Sequence, residues 1–162
     1  MENIFNISWS NTVKIISWAT GLLLIGIGYL IITKINELST WIISAFSIVL
    51  LLSVYFVLQA PMSLKLGDDK LTICKLVGVK EIPFSAIEKI EPYKNYHSDI
   101  RLMGNGGFLG YTGLFRNKEL GKYTAFVGNY SQAFYIRTKS GKIYVTSSEQ
   151  REEIIRQIQL KL

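Results

Sequence analysis

The sequence predicts a membrane-anchored α+β protein: two N-terminal transmembrane helices, then a small seven-stranded β-barrel or sandwich closed by a C-terminal helix. Three observations carry this. The first is charge: residues 1–60 hold only Glu2, Lys14, Lys34 and Glu37, whereas residues 61–162 hold 16 Lys/Arg and 10 Asp/Glu, so the net +6 belongs to the second segment. The second is a pair of long uncharged runs near the N-terminus. The third is a change, at Pro61, to short β-like runs that end in an amphipathic stretch. A length of 162 residues bounds the chain to about one ordinary domain beside the helices. One cysteine, Cys74, excludes an internal disulfide framework and a CxxC zinc site.

The helices come first. Nineteen uncharged residues separate Lys14 from Lys34, with Ile15–Ile32 almost wholly apolar, and 27 separate Glu37 from Lys65, with Trp41–Leu58 the densest part. A bilayer core takes about 20 helical residues, so each run is long enough to cross. Trp18 and Trp41 lie near the segment ends, where indole rings favour the headgroup zone. Pro61 ends the second helix, having no N–H to donate. Thr33–Thr40 has no small-x-small cleavage pattern, so the first run reads as a retained helix and not a signal peptide. Ser17-xxx-Gly21 on the first helix, with Ser44 and Ser47 on the second, are candidates for close helix packing. Lys14, Lys65, Lys70 and Lys75 flank the hairpin on the side of the termini against Lys34 in the loop. This places both termini and the C-terminal segment in the cytoplasm of a multi-pass cell-membrane protein. Residues 1–60 form the membrane unit, helices about 15–32 and 41–58, with Met1–Asn11 read as a short interfacial segment; residues 61–162 form the second domain.

The β-like runs are Ser63–Leu66, Lys70–Leu76, Val79–Ile82, Ile87–Tyr93, Leu114–Asn117, Tyr123–Val127, Ala133–Lys139 and Lys142–Thr146. Ser140-Gly141 reads as a two-residue hairpin loop, which points Phe134, Ile136, Ile143 and Val145 inward and Tyr135, Arg137, Lys139, Lys142 and Tyr144 outward. Ser147 with Gln150 fits a capping box, and Ile154, Ile155, Ile158 and Leu162 make one apolar helical stripe with a Glu152–Arg156 ion pair on the wet side.

The stretches Glu81–Ile90, Arg101–Asn129 and Ile136–Thr146 with the final helix resemble the bacterial pleckstrin-homology-like domain family, most specifically in RLMGNGGFLGYTGLFRNKELGKYTAF. The resemblance covers residues 62–162 and none of the hairpin. It implies a PH-like barrel of seven strands with a C-terminal helix, and binding in place of catalysis. Phosphoinositide-binding PH domains carry a Lys/Arg cluster around the first strand pair; this chain has Gly67-Asp68-Asp69-Lys70 there. The resemblance also brings a second function, since some small membrane-attached relatives protect their cell against a bacteriocin.

Seven of the 13 glycines lie between 104 and 128. Gly104-Asn105-Gly106 lacks the third glycine and the following helix of a nucleotide fingerprint, which leaves positive-φ turns and bulges as one reading. The other is an exposed loop, Asn105-Gly106-Gly107-Phe108, offering Phe108 and backbone N–H groups to a partner. His97-Ser98-Asp99 contains triad residue types, yet neighbours on an extended chain cannot form a relay among themselves. No catalytic residue, metal site or cofactor is expected. Candidate binding residues are Asn105, Gly106, Gly107, Phe108, Tyr135, Arg137 and Tyr144. Candidate membrane-surface contacts are Lys65, Lys70 and Lys75. The expected function is a non-enzymatic binding module facing a protein partner or anionic lipid headgroups, with no nucleic acid. Bacteriocin self-immunity and a lipid-modifying enzyme are the alternatives.

Overall fold

A computed structural model describes residues 3–35 and 38–162. Glu37, one of the two charges between the helices, lies outside them, as do Met1 and Glu2. Helices α1 (Asn11–Thr33) and α2 (Thr40–Leu58) have 23 and 19 residues, about 35 and 29 Å at 1.5 Å per residue. Their mean hydropathies are 2.2 and 2.5, and neither is buried in the rest of the molecule. Trp18, Ile25, Trp41 and Leu51 all stand in the open. A core helix of a soluble domain would be covered, so these are two helices long and apolar enough to span a membrane. Gly28 faces the Phe46 ring, where a Cβ would lie at 3.7 Å. The serines serve other ends: Ser44 and Ser47 donate to Thr40 and Ile43 carbonyls of their own helix.

The β-strands build two sheets. The first has the order β1 (Asn3–Asn6), β2 (Pro61–Leu66), β3 (Lys70–Lys75), β4 (Val79–Pro83). The second runs β5 (Ile87–Pro92), β9 (Ala133–Thr138), β10 (Ile143–Ser147), β8 (Gly121–Val127), β7 (Gly110–Asn117), β6 (Ile100–Gly107). There are thus ten strands among the described residues, two more than the eight β-like runs of the sequence and three more than the seven of the expected barrel. One addition is β1: Asn3–Asn6, within the segment read as interfacial, is a strand that pairs antiparallel with β2, Phe5 opposite Leu64. Phe5 and Ile7 join the core with Leu64, Leu71, Ile73, Ile90 and Phe134. The helical hairpin is therefore an insertion between two adjacent strands of one sheet.

The other addition is β6, whose glycines conceal a strand. Gly104 and Gly113 are opposite each other, with φ of 119° and 124°. A Cβ on Gly104 would meet the Thr112 carbonyl oxygen at 2.2 Å, and one on Gly113 would meet that of Met103 at 2.4 Å. Only glycine lets the two backbones cross so closely in that conformation.

Helix α3 (Arg151–Gln159) lies over the first core through Ile154, Ile155 and Ile158, while Leu162 lies beyond the helix and is exposed. The expected capping box is absent. The Ser147 hydroxyl accepts from the Gly128 and Asn129 N–H groups, and Ser148 accepts from Gln150 N. Arg156 pairs with Glu153, not Glu152, at 2.5 Å.

The β9–β10 hairpin corrects the facing of its residues. Thr138 N–H donates to Lys142 O and Gly141 N–H to Thr138 O, so the loop has three residues, Lys139-Ser140-Gly141, with Gly141 at φ 79°. This shifts the register by one residue. Phe134 and Ile136 now share a face with Tyr144, and Tyr135 shares the opposite face with Ile143 and Val145. A slip of one residue swaps every side chain of one strand. Both faces are covered, so Tyr135 and Tyr144 are buried rather than outward.

Candidate functional site at the helix–domain junction

No free linker separates the helices from the sandwich. On the way into α1, Ile7 N–H donates to Met62 O, the Ser8 hydroxyl to Gln132 Oε1 at 2.7 Å, and Ser10 N–H to Gly128 O. The Ser10 hydroxyl then caps α1 by accepting from Val13 N–H, which satisfies one of the orphan donors of the first turn. On the way out of α2, the β3–β4 turn closes the chain down. Leu76 N–H donates to Ala60 O at 2.9 Å and Val77 N–H to Leu58 O at 3.0 Å, while Lys75 Nζ donates to Gln59 Oε1 at 2.7 Å. The side chains of that turn, Leu76, Val77 and Val79, are at least half exposed. Turns are ordinarily polar, so three bare apolar side chains level with the last residue of an apolar helix define a surface suited to lipid.

The β6–β7 tip forms the third tether. Ser17 Oγ donates to Val13 O and accepts from Leu109 N–H at 2.8 Å, and Leu109 is held at φ 58°. A Cβ on Gly107 would strike Ile16 of α1 at 2.8 Å. Asn105 is buried, its amide exchanging hydrogen bonds with the Phe108 backbone, and Phe108 is only half exposed. The expected exposed loop Asn105-Gly106-Gly107-Phe108 is instead a strand end and a tight turn docked on α1.

Of the lysines, Lys75 alone is tied to the end of α2. Lys70 pairs with Glu81 at 2.8 Å and lies five residues along β3 from Lys75, about 17 Å of strand. Lys65 sits opposite Thr72, toward the same far end. Arg137 is half-buried with its Nε lacking a hydrogen-bond partner. Tyr135 donates to Glu91 at 2.6 Å, and Lys80 Nζ stands 5.1 Å over the Tyr144 ring.

Sequence reasoning overlooked a tyrosine cluster. Asp99 accepts from Tyr93 at 2.5 Å, from Tyr123, and from the Asn117 amide at 2.6 Å, and the Tyr123 and Tyr130 hydroxyls stand 3.2 Å apart. Tyr96 stacks on Tyr130 at 5.3 Å. Tyr96 and Tyr130, with Ser10, Thr12, His97 and Tyr111, border a polar cavity of about 330 Å³. Asp99 is thereby spoken for, Ser98 accepts from Asn117, and His97 leans on Tyr96. The three triad residue types thus serve separate structural contacts.

Burial raises the Tyr93 phenol, seconded by its bond to Asp99; burial and the neighbouring Tyr130 raise Tyr123; burial raises Tyr130. In the unfolded chain these groups ionise near pH 10. Above that pH the unfolded chain binds fewer protons than the native one, so the stabilisation, complete below pH 10, is lost as pH rises. The thermal midpoint should hold to about pH 9.5 and then fall, as the unfolding free energy drops by up to ~1.4 kcal/mol per pH unit for each of these tyrosines. Tyr130→Phe should soften the slope. A midpoint that holds through pH 11.5 would contradict the burial of the cluster.

The β-sandwich of two sheets with one covering helix, following a pair of apolar helices, is a PH-like fold. The bacterial PH domain family model matches residues 62–162, and the chain belongs to that family. Strand β1 and both apolar helices lie outside the matched residues. No curated protein and no solved structure matches the chain.

Proposed function

We propose that this protein is a non-catalytic binding module anchored in the cell membrane by its helical hairpin, with both termini and the PH-like domain on the cytoplasmic side. The domain rests directly on the bilayer and reads its surface. The observation that carries this is the β3–β4 turn. Its backbone is hydrogen-bonded to Leu58 and Ala60, and its Leu76, Val77 and Val79 side chains are bare. With α2 across the membrane, that turn lies at the headgroup boundary, where apolar side chains gain about 25 cal/mol for each Å² removed from water. Lys75 beside it adds attraction to anionic headgroups, roughly 1 kcal/mol near the surface. The excess of Lys/Arg on the side of the termini supports the cytoplasmic placement.

The test is a fluorescent probe at residue 77 in a Cys74→Ser background, with the protein in vesicles of phosphatidylethanolamine and phosphatidylglycerol. A Val77→Cys probe is expected to emit as in an apolar medium and to be quenched by lipid-borne quenchers, and a Lys65→Cys probe is not. Equal, water-like emission at both positions would remove the seated domain from consideration. Membrane-impermeant labelling of the Lys65→Cys site, in intact and in opened cells, reads the orientation.

A further inference from the structure

A second cavity of about 330 Å³ opens where the last turn of α2 meets the glycine-rich strands. Tyr55, Phe56 and Gln59 form its helix wall, and Met103, Thr112 and Phe126 its sheet wall. Gly104 and Gly113 bare the sheet at that point, since neither position tolerates a Cβ. The lining is mostly apolar and carries no charged side chain; Gln59, Thr112 and Thr124 are its polar members. One buried oxygen among them has no partner. The hydroxyl of Thr112, a residue 4% exposed, is buried with no hydrogen-bond partner. Thr112 lies opposite Phe126 across the β7–β8 ladder, so its side chain emerges on the face that Phe126 presents to the cavity. An orphaned hydroxyl costs about 1–3 kcal/mol and calls for a partner. Met103, 72% exposed, stands at the mouth.

We propose that this cavity holds one acyl chain of a neutral glycerolipid from the surrounding leaflet, with an ester or hydroxyl oxygen of the glycerol bonded to Thr112. The helix wall supplies the chemistry of the site. Residues 55–59 end the apolar helix, so the cavity lies where acyl chains join glycerol. The apolar walls suit a chain, the unpartnered hydroxyl suits an oxygen at its end, and no charged side chain lines the cavity to hold a phosphate, the nearby Lys75 ammonium being bonded to Gln59 Oε1. This rests on the reading that α2 crosses the bilayer.

The test uses the full-length protein in detergent, incubated with dioleoylglycerol or with dioleoylphosphatidylglycerol, and native mass spectrometry of what stays bound. The wild type is expected to retain one dioleoylglycerol in preference to the anionic lipid. Thr112→Val should retain about ten-fold less, the value of one lost hydrogen bond. Valine is close to threonine in size, so its unfolding midpoint without lipid should equal or exceed that of the wild type. Met103→Trp, which sets a ring across the mouth, should also lose retention and reports independently should Thr112→Val fold poorly. Retention unchanged in both variants, no retention by the wild type, or equal retention of both lipids would each overturn the proposal. Emission at residue 77 does not depend on the cavity, so a failure of either reading leaves the other separately decided.

Discussion

Gly113→Ala is expected to cost the domain about 3–4 kcal/mol through the addition of a single methyl group. The added carbon would sit 2.4 Å from the Met103 carbonyl oxygen, a backbone atom that cannot swing aside, at a residue whose φ of 124° already excludes other side chains. Relief requires β6 and β7 to separate, which breaks the ladder that runs from Ile100–Arg116 to Gly107–Gly110. The thermal midpoint in detergent should fall by more than about 10 °C. Gly21→Ala is the control: nothing lies within 4 Å of its Cβ position, and a helix interior favours alanine by about 1 kcal/mol. Equal midpoints for Gly113→Ala and the wild type would mean that the two strands do not pinch at this pair.

Asp99→Ala should be of similar size, about 3–5 kcal/mol, for an electrostatic reason. The carboxylate gathers the Tyr93 and Tyr123 hydroxyls and the Asn117 amide; its removal takes the acceptor from two phenols that are almost wholly buried, while Asn117 keeps Ser98 and the Asn95 carbonyl. Asp99→Asn keeps the shape and one accepting oxygen, so its loss should be smaller, roughly 1–2 kcal/mol. Chemical unfolding of the three proteins reads the order directly: wild type, then Asn, then Ala. An asparagine variant as stable as the wild type would show that the charge on residue 99 carries no weight.

Much of this architecture is written in local pattern. Both helices are legible because 19 and 27 uncharged residues leave no other structure for them, and most strands of the first sheet announce themselves through alternation and the Gly67-Asp68-Asp69 turn. What pattern misreads is placement set by distant partners. Asn3–Asn6 is too short to read as a strand until β2 lies beside it. Strand β6 is hidden because Gly104, Gly106 and Gly107 resemble a turn, when the glycines are there for a backbone crossing. The β9–β10 facing turns on one residue of loop length, and with it the exposure expected of Tyr135 and Tyr144. The junction had a visible sign. Leu76-Val77-Gly78-Val79 is an apolar hairpin turn, and such a turn calls for an apolar neighbour. The Asp99 cluster offered less, for its tyrosines come from four separated segments that only the fold assembles.

The insertion of the helices between β1 and β2 imposes an order on biosynthesis. Phe5 and its partner Leu64 stand 59 residues apart, and the whole hairpin must be made before they can meet. Until then β2 keeps a bare edge, and Phe5 and Ile7 have no core to enter. A chain in which β1 fails to return to β2 leaves the seam of the first sheet unsewn, a ready mark for proteases and for edge-to-edge aggregation. Residues 3–6 thus act as a latch: the first sheet closes only after both apolar helices have been made.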